Sequence, residues 1–517
     1  VRNIPNAPDL TEFGGRVTLG YSNTAESGGN NDKVEGVINV PLIEDKLAVR
    51  AVAYRHSNEG YIDNIAGSDP VLQASSVTYG AESLAINKRA GDDTYEGGRI
   101  SLLWKPHEDF NVSLTHLTQD LEQEGMAEVD LGRGTYEQAR YQFGDAFGGG
   151  VGGGEGLISD VDITILGMEY DLGWATAYSS SSWTDNEAQR LRTLGAFFSG
   201  HPPMPQQDVW NNEVFTQELR LVSSLDGPVQ FVTGFYYSDN DGEGTLDVVW
   251  GGDPALNDLT PGNPVFADWD YVTSLKQTAF FGELVYQIND EFELTVGTRV
   301  FDYEDDLFTV HQPALFDPGG LVSSPEGSDD GSTYKLNLAY TPDEDVLVYA
   351  TWSEGFRLGR SFNPVPRSIC DVDNDGILDG TSISVGITQT GPDTLESFEL
   401  GGKFSFAGDR VIINAAVYRN NWDDMPFTVV GDCGNSVTAN IGEAVTEGLE
   451  IESSFYLLPN LKVDLGLALT SAELTSDAPS VGAVDGDRLS GSPEKSFNLG
   501  VEYDYDLMGH ASYIRAD

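Results

Sequence analysis

Short and long connections alternate along this chain almost to its end. Roughly eighteen amphipathic, strand-like segments follow one another. The short links are Pro41–Lys46, Lys105–Asp109, Asp171–Gly173, Ser224–Pro228, Asn289–Asp290, Pro342–Asp345, Ala407–Arg410, Leu458–Asn460 and Leu507–His510. Long polar stretches lie between them, among them His56–Thr94, Glu122–Gly156, Asn240–Asp270 and Phe356–Asp393. An antiparallel barrel that crosses a membrane has tight turns at one rim and large loops at the other. A soluble sandwich has no reason to send every long loop to one end.

The segments carry two faces. Phe292, Leu294, Val296 and Val300 alternate with Glu293, Thr295, Gly297 and Arg299. Leu461, Val463, Leu465, Leu467 and Leu469 alternate with Lys462, Asp464, Gly466, Ala468 and Thr470. Successive side chains of a strand point to opposite sides, so one side is fit for lipid and the other for a wet interior. Arg99, Glu218, Arg220, Glu283, Arg299, Lys403, Glu450 and Glu452 fall on the polar parity and are expected to line a lumen. Trp104, Tyr170, Trp174, Tyr286, Tyr340, Trp352 and Tyr503 end apolar strands, where aromatic rings suit the headgroup zone. Strands of about ten residues are expected, the length a tilted strand needs to cross a bilayer.

Composition agrees with this all-β reading. Mean hydropathy is only −0.27 and hydrophobic residues are 39%, as expected when alternate strand residues and all loops are polar. No apolar run reaches about 18 residues, so no transmembrane helix is offered. The net charge of −55 excludes nucleic acid as a partner, because binding it needs a basic footprint. Asp239–Asp270 holds eight acidic and no basic residues. Such carboxylates either solubilise loops or gather divalent cations beside anionic lipopolysaccharide.

Together these residues carry a resemblance. Arg2–Asp9 followed by Glu12–Val17 looks like a junction between a plug and a first barrel strand. Gly60–Asn64, Thr216–Leu221, Phe281–Glu283, Tyr349–Arg357, Glu396–Gly401, Asn440–Ala444 and Gly448–Glu452 follow in order. In that order and spacing the chain resembles TonB-dependent outer-membrane receptors over nearly its whole length. The resemblance implies a barrel of about 22 strands, of which 18–19 are expected here. It divides the chain into residues 1–11, the end of a plug, and 12–517, an incomplete barrel. It also implies a plug that the lumen charges hydrogen-bond, and a TonB complex engaged through an N-terminal region outside this sequence. A scarce solute is the implied cargo: a ferric siderophore first, with cobalamin, an oligosaccharide or another chelate as alternatives. A plugless diffusion channel and a soluble propeller or sandwich are the competing architectures.

The outer loops hold the remaining candidates. Cys370 and Cys433 are the two cysteines, in consecutive long loops, and are expected either to bridge or to stand as two thiols. Asp371, Asp373, Asp375 and Asp379 with Gly376 resemble a calcium loop, although Ser382 stands where the last bidentate acid belongs. The alternatives are a structural Ca²⁺ and an acidic turn. Trp250, Phe266, Trp269 and Tyr271 offer an aromatic cluster for a flat ligand, and Phe356, Arg357, Arg360 and Asn363 leave the membrane together, with arginine suited to carboxylate or catecholate oxygens. The glycine-rich run 148–154 lacks a phosphate-loop partner. The histidines at 56, 107, 116, 201, 311 and 510 are scattered, and HExxH and GxSxG are absent, so no enzyme is expected.

Overall fold

The computed structural model describes residues 6–25, 28–79, 87–130, 136–141, 155–194, 204–249, 265–314 and 319–517. Trp250 and the glycine-rich run 148–154 lie outside them. Twenty of the described strands form one antiparallel sheet in which neighbours follow the order of the sequence, and the short strands Ile62–Asn64, Asn87–Ala90 and Glu137–Gln138 form a separate three-stranded sheet. Leu321–Ser323 and Glu326–Asp343 both pair with Phe292–His311 and are two pieces of one strand, interrupted at Pro325, which has no N–H for the ladder. Counted so, nineteen strands run from Gly14–Ser22 to His510–Ala516, and all nine short links fall at turns along one rim. The first strand pairs with the second and the last with the one before it.

Register fixes the faces, because residues directly opposite each other share a side. Leu284 faces Val296, and Val296 faces Leu336. These three are 47%, 47% and 44% exposed, although all are large apolar side chains. Leu400 faces Val417 and both are likewise exposed. A soluble sheet would bury that face. An exposed apolar band on a large sheet belongs against lipid. Trp104, Tyr170, Trp174, Tyr286 and Tyr503 are exposed at the ends of these strands.

Following the register from strand to strand puts Arg99, Glu218, Arg220, Glu283, Arg299, Lys403, Glu450 and Glu452 on the opposite, inner face. There Lys335 Nζ donates to Glu283 Oε2 at 2.8 Å. Arg220 lies 5.1 Å over Tyr178 and Arg299 lies 5.3 Å over Tyr236.

The expected strand length of ten is too short. Val229–Val249 has 21 residues and Val265–Gln287 has 23. At about 3.4 Å per residue such strands outrun any bilayer. Their outer halves stand in water as hairpins, so the apolar alternation stops while the ladder continues. Much of the acid assigned to loops therefore sits on strands. Asp185 faces Glu213, Glu213 faces Asp241, and Asp306 faces Glu326, all exposed.

Candidate functional site

At Ser353 the Val346–Arg357 strand loses its ladder with Glu326–Asp343, while its pairing with Asp393–Phe406 continues to Arg357 and Asp393. The freed end folds over the inner face of Phe292–His311. Phe356 stacks on Phe301 at 3.8 Å, the rings 2° from parallel. Gly359 N donates to Tyr303 Oη at 3.0 Å, and Ser361 N donates to an Asp305 carboxylate oxygen. Arg360 Nη1 donates to Asp305 Oδ1 at 3.1 Å, and Thr309 Oγ1 donates to Asn363 Oδ1 at 2.6 Å. Residues 356–363 thus form a strap along the outer half of the inner wall. Gly359 is required, since a Cβ there would come within 2.2 Å of the Thr390 carbonyl.

The strap and its surroundings present three clamped arginines. Arg357 gives Nε and Nη2 to Asp393 at 3.0 and 2.7 Å and lies 5.0 Å over Trp422. Trp422 Nε1 donates to the same carboxylate. Arg190 gives Nε and Nη2 to Asp208 at 2.8 and 2.6 Å and lies 5.8 Å over Trp210. Arg360 on Asp305 is the third. The aspartates are buried while the side chains of Arg357 and Arg360 are more than half exposed. A buried carboxylate must be paired, so each aspartate fixes its arginine. In Arg190 and Arg357 the Nη1 group has no acceptor among the described residues, and a planar fork held this way suits carboxylate, catecholate or hydroxamate oxygens.

Other expected contacts are used in packing. Trp269 stacks on His311 at 4.6 Å and, with Phe266, packs against Met204, Val248 and Ala267. Tyr271 lies across Gly244, where a Cβ would be 2.4 Å from its hydroxyl. Arg357, Arg360, Phe356 and Asn363 converge on the strap; Trp269 and Tyr271 belong to the neighbouring hairpin. Asp208, Asp305, Asp393, Arg190, Trp210 and Trp422 escaped the sequence reading. For Asp208 and Asp393 the signal is an acid directly opposite a base, visible only once register is known; Asp305 meets Arg360 through the fold of the strap.

Cys370 and Cys433 are joined by a disulfide, with Cα atoms 5.2 Å apart. Around it Val365, Leu378, Ile383, Val385, Val429, Val437 and Ala439 form a small core outside the membrane. Carboxylate oxygens of Asp371, Asp373 and Asp375 lie within 4.8 Å of one another. Asp379 instead accepts Val372 N at 3.0 Å. Gly376, Asp375 and Ile377 amides donate to Asp371, Asp373 and Asp375. The loop therefore holds its own shape, and the exposed Asp373 and Asp375 leave oxygens toward water.

A model of the TonB-dependent receptor-like β-barrel matches residues 104–517. The chain belongs to the TonB-dependent receptor family. The receptor is therefore an outer-membrane β-barrel, and the proteins it matches are receptors and transporters rather than enzymes. A probable TonB-dependent siderophore receptor, PiuA of Acinetobacter baumannii, is 19% identical over 211 residues. That stretch covers 41% of this chain and 26% of PiuA, so the alignment spans about a quarter of that relative. The ferric yersiniabactin uptake receptor FyuA of Yersinia pestis superposes with a TM-score of 0.76 at 16% identity, covering 99% of this chain and 68% of FyuA. The copper transporter OprC superposes at 0.65 and 14% identity, covering 97% of this chain and 66% of its own. At these identities the superpositions show the fold alone.

Proposed function

We propose that this receptor takes up a scarce solute across the outer membrane by TonB-dependent transport, and that the solute is a ferric siderophore. The observation that carries the reading is the trio Arg190, Arg357 and Arg360, held by buried aspartates on the inner wall at the long-loop mouth. A ferric chelate presents oxygen acceptors of this kind, and tryptophans under two of the guanidinium groups add flat apolar surface. PiuA, described as a probable siderophore receptor, and FyuA, described as a ferric yersiniabactin uptake receptor, point the same way; OprC, described as a copper transporter, keeps another metal cargo as the rival.

The inner wall supports a plug. The Nε atoms of Arg50, Arg99 and Arg299 are shielded from water and have no acceptor among the described residues. Buried donors of this kind want partners, and a plug filling the lumen supplies them. In this reading the TonB complex pulls on the N-terminal part of the receptor to open the path, and the small-molecule ligand is bound outside before it is released inside.

The test is uptake of a panel of ferric siderophores and of copper by cells carrying the receptor or its Arg357→Ala variant. Transport of at least one ferric siderophore, weakened about tenfold or more by the substitution as the loss of a charge-assisted fork predicts, supports the reading. Copper uptake with no ferric substrate replaces it.

A further inference from the structure

We propose that Asn39 is a mechanical stop between the pulled N-terminal segment and the barrel wall. The role rests on the transport reading above, in which the TonB complex pulls on the N-terminal part of the receptor. Tension that opens the lumen must not go on to strip the first strand from the sheet. Residues 8–12 are tied to the barrel just ahead of that strand.

Asn39 lies on the Asn31–Ile43 strand, directly opposite Gly14, the first residue of the Gly14–Ser22 strand. On its other side it faces Arg50, which places its side chain on the inner wall. The first tight link begins two residues later at Pro41, so Asn39 stands at the short-turn rim. It is only 4% exposed. Both ends of its amide hold the incoming chain. Asn39 Oδ1 accepts Asp9 N at 2.9 Å, and Asn39 Nδ2 donates to Asp9 O at 3.0 Å and to Glu12 O at 2.7 Å. Asp45 N, in the tight link, donates to Leu10 O at 3.1 Å. All of these contacts grip the backbone of residues 9–12.

Asp9 makes those residues one unit. Its Oδ1 accepts Thr11 N at 2.7 Å, Thr11 Oγ1 at 2.8 Å and Glu12 N at 3.1 Å. Asn6 and Ala7 are exposed and Pro8 is buried, so the tie begins at residue 8. Tension that reaches Asp9 passes through the turn to Leu10 and Glu12, and loads the bonds to Asn39 and Asp45 together.

The ladder beyond is built differently. Its pairs run from Gly14 opposite Asn39 to Ser22 opposite Asn31. A ladder pulled from one end opens one pair at a time, whereas a clamp whose bonds share the load fails as a whole. Breaking the clamp also strands the buried Asn39 amide without partners, which adds the desolvation cost of that group. The stronger attachment therefore stands where tension arrives first, and the weaker one behind it is spared.

Force spectroscopy of the purified full-length receptor in a supported bilayer, pulled through a handle at its N-terminus, tests this without cargo or TonB. Under constant force the wild type is expected to hold with Gly14–Ser22 still paired. In Asn39→Ala the lifetime of that state is expected to fall about tenfold or more, as the loss of buried hydrogen bonds predicts. Pulled instead through a handle at the Asn289–Asp290 turn, variant and wild type are expected to have equal lifetimes, since that load does not pass through residues 8–12. An unchanged lifetime under N-terminal pulling, or an equal loss with both handles, overturns the proposal. If Asn39→Ala does not assemble, Asp9→Ala, which unties the exposed side of the turn, decides. A shortened lifetime under N-terminal pulling supports the stop, and an unchanged one overturns it. No uptake is measured, so failure of this test and failure of the transport reading are separate results.

Discussion

Phe356 lies flat on Phe301 at 3.8 Å, and this stack pins the strap to the barrel wall. Phe301 is buried with Ala279 and Tyr303, while Phe356 arrives from a strand that has just left its neighbour. An aromatic pair contributes about 0.5–1.5 kcal/mol beyond its area burial. Phe356→Ala is expected to leave the barrel assembled and to raise exchange of the 357–363 amides by about tenfold, the factor that corresponds to about 1.4 kcal/mol. Unchanged exchange means that the Asp305 and Thr309 contacts hold the strap without the stack.

The barrel was legible because its code is short-range. Period-two alternation and turn spacing place the nineteen barrel strands, within the 18–19 expected. The outer hairpins were not legible. Asp241 and Glu243 look like loop residues because solvent on the outer face removes the need for apolar partners, yet the ladder continues past them to Val249. The site was half legible. Arg357 and Arg360 stand out as bases in an acidic chain, but Asp393 and Asp305 are two among many acids until pairing sets them opposite or above those arginines.

The disulfide closes a separation of 63 residues, which the chain-entropy model values at about 4 kcal/mol. Cys370→Ser is expected to cost up to that amount in urea unfolding and to loosen the small core around Leu378 and Val385. The acidic loop beginning at Asp371 is expected to take calcium weakly, with a dissociation constant of about 10⁻⁴–10⁻³ M. Calorimetric titration should show that binding in the oxidised receptor and lose it in the Asp373→Ala, Asp375→Ala variant. Superimposable isotherms would identify the loop as an acidic turn.

Glu213 lies between Asp185 and Asp241 on the exposed outer face, so like charges stand directly opposite on both sides. Such pairs are destabilising. Glu213→Gln is expected to stabilise the barrel, by about 0.2–1 kcal/mol at low ionic strength, with the gain shrinking as salt is added. A lower urea midpoint for the variant would show that Glu213 has a favourable partner in the folded receptor.

Accumulation of radio-iron from a bound ferric siderophore, in cells whose proton-motive force can be collapsed, tests the transport reading most directly. The receptor is expected to keep binding the chelate at the surface while internal accumulation stops once the force is gone. Accumulation that continues unchanged after collapse would contradict energised transport and make the barrel a diffusion channel.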